Sequence, residues 1–326
     1  MPSTRDADPW AAELEVTATL AERSIAAQFP QLAPATARPL GEGWDNAAFL
    51  VNGAYVFRFP RRAIAAELIA TECRVLPLLA GRLPLAVPDP SMPGRPSAAY
   101  PWPFAGYRLL PGVPLSALRP ADDAYEALAR PLGAFLRALH GLDCRALRKA
   151  GLPGDAIGRL DRERMLPKMR ARLEVLENAG FTGETNLASA YLERLGPSLS
   201  ATPRALAHGD LYARHILVAD ALVPTAIIDW GDLHFGDPAV DLSIAYAVLP
   251  PSARAAFVAT YGAIDARTAE LARFRAIYHS TMVAHYGYRI GDGDLIYAGL
   301  RGVRLAGADE GDYMPEAGAE GSGVGP

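Results

Sequence analysis

His208-Gly209-Asp210-Leu211, then His215, then Asp229-Trp230-Gly231 are the residues whose types and spacing could do chemistry. An aspartate at the end of one turn can accept the proton of an attacking hydroxyl, and a second one hairpin later can hold a divalent cation on phosphate oxygens. Phosphoryl transfer needs this pairing, because it depends mostly on positioning and charge neutralisation. Asp210 is the candidate catalytic base; His215, five positions further on, and Asp229 are the candidate metal-binding side chains.

The elements that must hold these groups can be read around them. Ile216-Leu217-Val218 is apolar and mostly β-branched, residues 219–222 can turn, and Ala226-Ile227-Ile228 is a second apolar run ending at Asp229. Asp210 and Asp229 therefore stand at the two ends of an expected hairpin. Alone, His-Gly-Asp is an ordinary turn in which the aspartate accepts backbone hydrogen bonds, and an apolar strand ending in Asp is unremarkable. The two together at this spacing argue for a site.

Composition sets bounds. The chain has 326 residues with 50% hydrophobic content, enough to bury the core of two lobes or one large domain. A net charge of -4 argues against a nucleic-acid partner held by a basic surface. No apolar run approaches the roughly 18 residues a membrane span needs, and the acidic start offers no secretion signal. Cys73 and Cys144 are isolated and expected to be reduced and structural in a cytoplasmic protein. The oligomeric state is not legible.

Taken with Gly236-Asp237-Pro238-Ala239-Val240-Asp241-Leu242 and the upstream segments Gly41-Glu42-Gly43-Trp44-Asp45-Asn46, Val56-Phe57-Arg58 and Gly106-Tyr107-Arg108-Leu109-Leu110-Pro111-Gly112, the chain resembles the aminoglycoside and macrolide phosphotransferases. That family has the protein-kinase fold. The resemblance implies an α+β, two-lobed protein: a small lobe of antiparallel sheet and one helix, and a larger, mainly helical lobe carrying the catalytic hairpin. The expected division is 1–112 for the nucleotide lobe, 113–306 for the catalytic and acceptor lobe, and 307–326 as a disordered tail rich in Gly, Ala and Glu. The implied activity is a small-molecule kinase that moves the γ-phosphoryl of ATP or GTP to a hydroxyl of an antibiotic-like acceptor, with Mg²⁺ as cofactor and a role in antibiotic resistance.

The chain departs from the family pattern twice. His215 stands where Asn is usual, as in the macrolide kinases. A ring nitrogen is a poorer ligand than an amide oxygen for magnesium, so manganese or a water-mediated link becomes the alternative. The usual phosphate-binding lysine is also missing. The only lysines, Lys149 and Lys168, fall after the early strands, so the cation must be an arginine. Arg58, between core residues of an expected strand, is the candidate, with Arg61 and Arg62 as rivals; its planar fork suits phosphate oxygens. Glu72 is the carboxylate expected to orient it, with Glu67 the alternative on the same helix.

Gly43 belongs to a turn whose small residues let backbone approach phosphates, and Asn46 is a further phosphate contact. A lone Gly-x-Gly is more often a plain hairpin, and its weight comes from the Arg58 strand that follows. The backbone of Arg108 to Leu110 is placed, by resemblance, to bond a purine edge. Further elements are expected as helices at 10–27, 64–79, 159–178 (broken at Pro167), 239–249, 253–261 and 268–290, with a core stripe of Leu128, Leu132, Phe135, Leu136 and Leu139. The charges of 159–178 read as a solvated face.

The acceptor stays open. Asp232, Asp237, Asp241 and Asp265 could meet a polycation, although Asp237 and Asp241 read better as braces; Phe274, Tyr278, Tyr286 and Tyr288 could line an apolar pocket for a macrolide. Three other readings stand beside the leading one: a metabolite kinase, a nucleotide-binding pseudokinase, and a metal-dependent hydrolase using His208, Asp210, His215 and Asp229 as ligands.

Overall fold

The structure, a computed structural model, describes residues 12–43 and 45–308. The chain divides into two units. The first gathers the described residues of Met1–Ala80 with Val87–Leu110 and Lys149–Leu152; the second gathers Gly81–Ala86, Pro111–Arg148 and the described residues of Pro153–Pro326. The chain thus crosses between units at 81–86 and 149–152 as well as near residue 111.

In the first unit, β1 (Ala37–Glu42), β2 (Asn46–Val51), β3 (Tyr55–Pro60), β4 (Met92–Gly94) and β5 (Phe104–Arg108) form an antiparallel sheet in the order β1-β2-β3-β5-β4. Strand β4 emerges inside a proline-rich stretch that reads as a connection, and Pro93, which has no N–H to donate, is tolerated because the strand lies at the edge. Two-residue periodicity sorts β3: Tyr55, Phe57 and Phe59 face one side, Val56 and Arg58 the other. The aromatic side forms the core, with Phe59 stacked on Phe104 at 4.4 Å between centroids. Phe57 lies over Gly106, where a Cβ would come within 2.3 Å of the ring, so only glycine fits there.

Two helices complete the unit. Helix α1 (Ala18–Gln28) begins later than expected because Thr17 caps it, accepting the Leu20 N–H at 3.2 Å; residues 1–11 lie outside the described part. Helix α2 (Ala63–Val75) stops short of residue 79 and tightens into a 3₁₀ turn, Leu76–Leu79, at Pro77.

The second unit carries a three-stranded sheet of β6 (Val113–Pro114), β8 (Ile216–Val218) and β9 (Pro224–Ile227), in the order β6-β8-β9. A separate antiparallel pair joins β7 (Ala205–Ala207) to β10 (His234–Gly236). The rest is helical: α3 (Glu126–His140), α4 (Arg145–Lys149), α5 (Arg162–Asn178), α6 (Thr182–Glu193), α7 (Ala239–Ala247), α8 (Pro251–Tyr261), α9 (Ala266–Ile290) and α10 (Gly293–Gly307). The expected stripe of α3 is fully buried.

Several expectations need correction. Helix α5 starts after its cap, Asp161, runs on through Pro167, and leaves Arg159 in the preceding loop. Arg159 and Arg162 are buried and paired, so these two charges do not form a solvated face. Phe274 and Tyr278 are buried core residues of α9. Gly307, expected to open the tail, closes α10, and 309–326 lie outside the described residues. No described helix is long and apolar enough to cross a membrane.

Candidate active site

In the first unit, Arg58 Nη1 donates to both oxygens of Glu72, at 2.9 and 2.8 Å, with both side chains buried. Such a pair keeps the guanidinium beside the carboxylate, since leaving either charge alone in the core would cost about 3–5 kcal/mol. The rivals are engaged elsewhere: Arg61 donates to the Gly43 carbonyl at 3.2 Å, Arg62 to Asp45 at 3.1 Å, and Glu67 is exposed.

Gly43 is exposed, and its N–H donates to the Asn46 carbonyl at 2.9 Å, closing the turn before β2. Asn46 Oδ1 is buried with no hydrogen-bond partner among the described residues. Trp44 lies outside them. Arg108 pairs with Tyr55 across β3 and β5, on the sheet face opposite Arg58. With Leu110, Tyr55 and Asp89 its side chain lines a cavity of about 350 Å³. The Leu109 N–H donates to the Ala54 carbonyl at 2.9 Å.

In the second unit, β7 runs into His208-Gly209-Asp210, and a buried carboxylate holds this turn. Asp241, on α7, accepts the His208 N–H at 2.7 Å and the Gly209 N–H at 2.9 Å, and His140 Nε2 lies 3.3 Å from it. Burial works against its charge, but the His140 contact, nearby His208 and the Gly209 N–H outweigh it and hold Asp241 down to about 2. Gly209 has φ 89°, and a Cβ there would sit 2.3 Å from the Asp232 carbonyl oxygen, so the turn requires glycine. Its own carbonyl accepts from Arg159 Nε at 3.1 Å and Arg275 Nη2 at 3.3 Å.

His208 is structural. Its Nε2 faces the Ile228 carbonyl at 3.0 Å and must carry the hydrogen, leaving Nδ1 to accept the Asp210 N–H at 3.3 Å. Neither nitrogen is then available to a metal, which removes the four-ligand hydrolase site. Trp230 packs fully buried against His208, 4.7 Å between ring centroids, and donates to the Ile227 carbonyl at 2.9 Å. The tryptophan of Asp-Trp-Gly thus anchors the second loop under the first.

His215 links the two candidate carboxylates. Its Nδ1 lies 2.8 Å from the Asp210 carbonyl oxygen and so donates, which leaves the Nε2 lone pair 3.4 Å from Asp229 Oδ2. Asp229 reaches that place with a left-handed φ of 62°. A ring nitrogen and a carboxylate oxygen facing each other, both electron-pair donors, suit a divalent cation. Two protein ligands are what such an ion takes when phosphate oxygens and water fill the remaining positions. Among the described residues no group of three His, Cys, Asp or Glu side chains makes a metal site by itself.

Asp210 Oδ1 accepts from His279 Nε2 at 2.8 Å, while Oδ2 stands 3.7 Å from His215 Nδ1. Burial works against its charge, yet the His279 hydrogen bond with His279, His215 and Arg275 nearby keeps the carboxyl well below the usual carboxylate range. His279 itself is pushed down, first by burial and then by Arg275. Sequence reasoning missed His279, Arg275 and Arg159. No local sequence signal marks them; only in the fold do five of the six histidines (140, 208, 215, 234 and 279) converge on this loop network. The other acidic candidates serve the fold: Asp265 caps α9, Asp237 accepts the Thr202 and Ala239 N–H groups, and Asp232 pairs with Arg159.

Residues 36–277 match the phosphotransferase enzyme family. Viomycin phosphotransferase from Streptomyces vinaceus is 28% identical over 262 residues, 78% of this chain and 88% of that protein. The structure of the GDP complex of wild-type aminoglycoside 2'-phosphotransferase-IIIa is 27% identical, with a TM-score of 0.64 over 90% of this chain and 99% of that one. Macrolide 2'-phosphotransferase MphH from Brachybacterium faecium is 25% identical, with a TM-score of 0.51 over 82% of this chain and 91% of its own. The α+β fold is theirs, kinase-like in its sheet and helical parts. The chain belongs to the phosphotransferase enzyme family.

Proposed function

We propose that this phosphotransferase moves the γ-phosphoryl group of ATP or GTP to a hydroxyl of an antibiotic-like small molecule. The observation that carries the reading is His215, one ring touching both the Asp210 loop and the Asp229 carboxylate. In the step itself the acceptor oxygen bonds to the γ-phosphorus, the bond to the β,γ-bridging oxygen breaks, and the hydroxyl proton passes to Asp210 Oδ2. A carboxylate held so far below the usual range is a weak base, so it orients the hydroxyl and takes the proton late. Arg58, fixed by Glu72, offsets charge on the α and β phosphates; Gly43 and Asn46 contact phosphate, and backbone at Arg108 and Leu110 meets the base. Asp229 and His215 would hold Mg²⁺ or Mn²⁺, which would supply charge neutralisation on the phosphate oxygens.

On this reading the first unit serves the nucleotide and the second the acceptor, and the protein works in the cytoplasm, where nucleoside triphosphates are available. Relatives named for viomycin, an aminoglycoside and a macrolide define the acceptors to try. The test is release of ADP or GDP with a panel of aminoglycosides, macrolides and viomycin-type peptides, with Asp210→Ala as the blank. Acceptor-dependent release that drops by at least about 10²-fold in the variant, at unchanged nucleotide KM, supports the proposal. Nucleotide binding with no transfer to any acceptor sinks it in favour of a pseudokinase.

A further inference from the structure

We infer that His279 is a positioning residue for the transfer step, fixing the plane of the Asp210 carboxylate so that Oδ2 meets the acceptor hydroxyl; this rests on Asp210 being the base proposed above. The backbone of Asp210 is held on both sides, its N–H by His208 Nδ1 at 3.3 Å and its carbonyl by His215 Nδ1 at 2.8 Å. Those bonds leave the side-chain torsions free. The hydrogen bond made by the carboxylate among the described residues is the one from His279 Nε2 to Oδ1, at 2.8 Å. An ionised carboxylate only accepts, so Nε2 carries the hydrogen and Oδ1 is committed, while Oδ2, 3.7 Å from His215 Nδ1, is left for a substrate proton.

The support behind His279 is rigid. It lies on α9, buried, with its ring set edge-on to Tyr212 at 5.4 Å between centroids. Arg275, four residues and about one turn earlier on the same face, bonds the Gly209 carbonyl at 3.3 Å, so a single helix face grips two consecutive residues of the catalytic turn. The helix is itself fixed at its start by Asp265, which accepts the Thr268 N–H at 2.8 Å. A misplacement of about 1 Å at a reacting group is enough to lower turnover by about 10²-fold, so a residue that sets one carboxylate rotamer acts on kcat.

Three substitutions separate placement from packing. His279→Phe keeps the ring and loses the donor; His279→Asn carries a donor that stops near the Nδ1 position; His279→Gln places its amide nitrogen close to the original Nε2. With the acceptor that the wild-type chain phosphorylates, the Phe and Asn variants should lose about 10- to 100-fold in kcat with nucleotide KM within about twofold, and Gln should recover most of that loss. Thermal melts identify any variant that fails to fold, and the Asn and Gln pair carries the comparison if Phe does. A Phe variant within about twofold of wild-type kcat, or Asn and Gln variants falling equally, overturns the inference while leaving the proposed activity standing. A wild-type chain that transfers phosphate to nothing in the panel overturns both.

Discussion

Replacing Asp241 with asparagine should loosen the catalytic turn without touching a reacting atom. The carboxylate is fully buried and takes the N–H groups of His208 and Gly209, with His140 alongside. Its folded value of about 2 against an ordinary 3.8 corresponds to roughly 2 to 3 kcal/mol of stabilisation by the ionised form. Asparagine keeps one acceptor oxygen but turns an NH₂ toward the second backbone donor, leaving that N–H unsatisfied for about 1–3 kcal/mol more. The sum is about 4 kcal/mol, or a melting temperature lower by roughly 10 °C for a protein of this size. The sign of the pH dependence follows from the depressed value. The stabilisation is fully present above about pH 4, where an unfolded aspartate is ionised, and is lost as pH falls through the folded value near 2. Urea unfolding of wild type and Asp241→Asn should therefore give a constant gap from neutral pH down to about 4 that narrows below it. A gap under about 1 kcal/mol at neutral pH, or one that ignores acidification, would refute the reasoning.

Other substitutions probe the remaining parts. Arg58→Met should destabilise by about 3–5 kcal/mol, because Glu72 stays buried without the guanidinium it faces, and should raise nucleotide KM; Arg58→Lys should do less of both, read by melts and nucleotide titration. Restoring the usual asparagine with His215→Asn should shift metal preference toward magnesium, lowering the manganese-to-magnesium ratio of kcat/KM by about tenfold in assays run with each ion. Gly209→Ala places a Cβ against the Asp232 carbonyl in a left-handed conformation, so strain alone adds about 1–3 kcal/mol and transfer should be lost. Wild-type turnover by that variant would show that the turn is not held as described.

What the sequence by itself determined is local. Hairpin length ties Asp210 to His215 and Asp229, so spacing alone put them in one place, and the absence of an early lysine left Arg58 among three neighbouring arginines. Periodicity found the α3 stripe for the same reason: each of those signals sits within a few turns or one hairpin. Tertiary structure decided the rest. Whether Glu72 or Glu67 meets Arg58 depends on how α2 is rotated on the sheet, and whether Arg108 or Arg58 faces a given side depends on register. Asp241 reaches the loop from 33 residues away and His279 reaches Asp210 from 69, along helices whose own patterns look like ordinary core. A buried polar residue is not marked by its neighbours in sequence, because what keeps it there is a partner supplied by another element once the chain has packed.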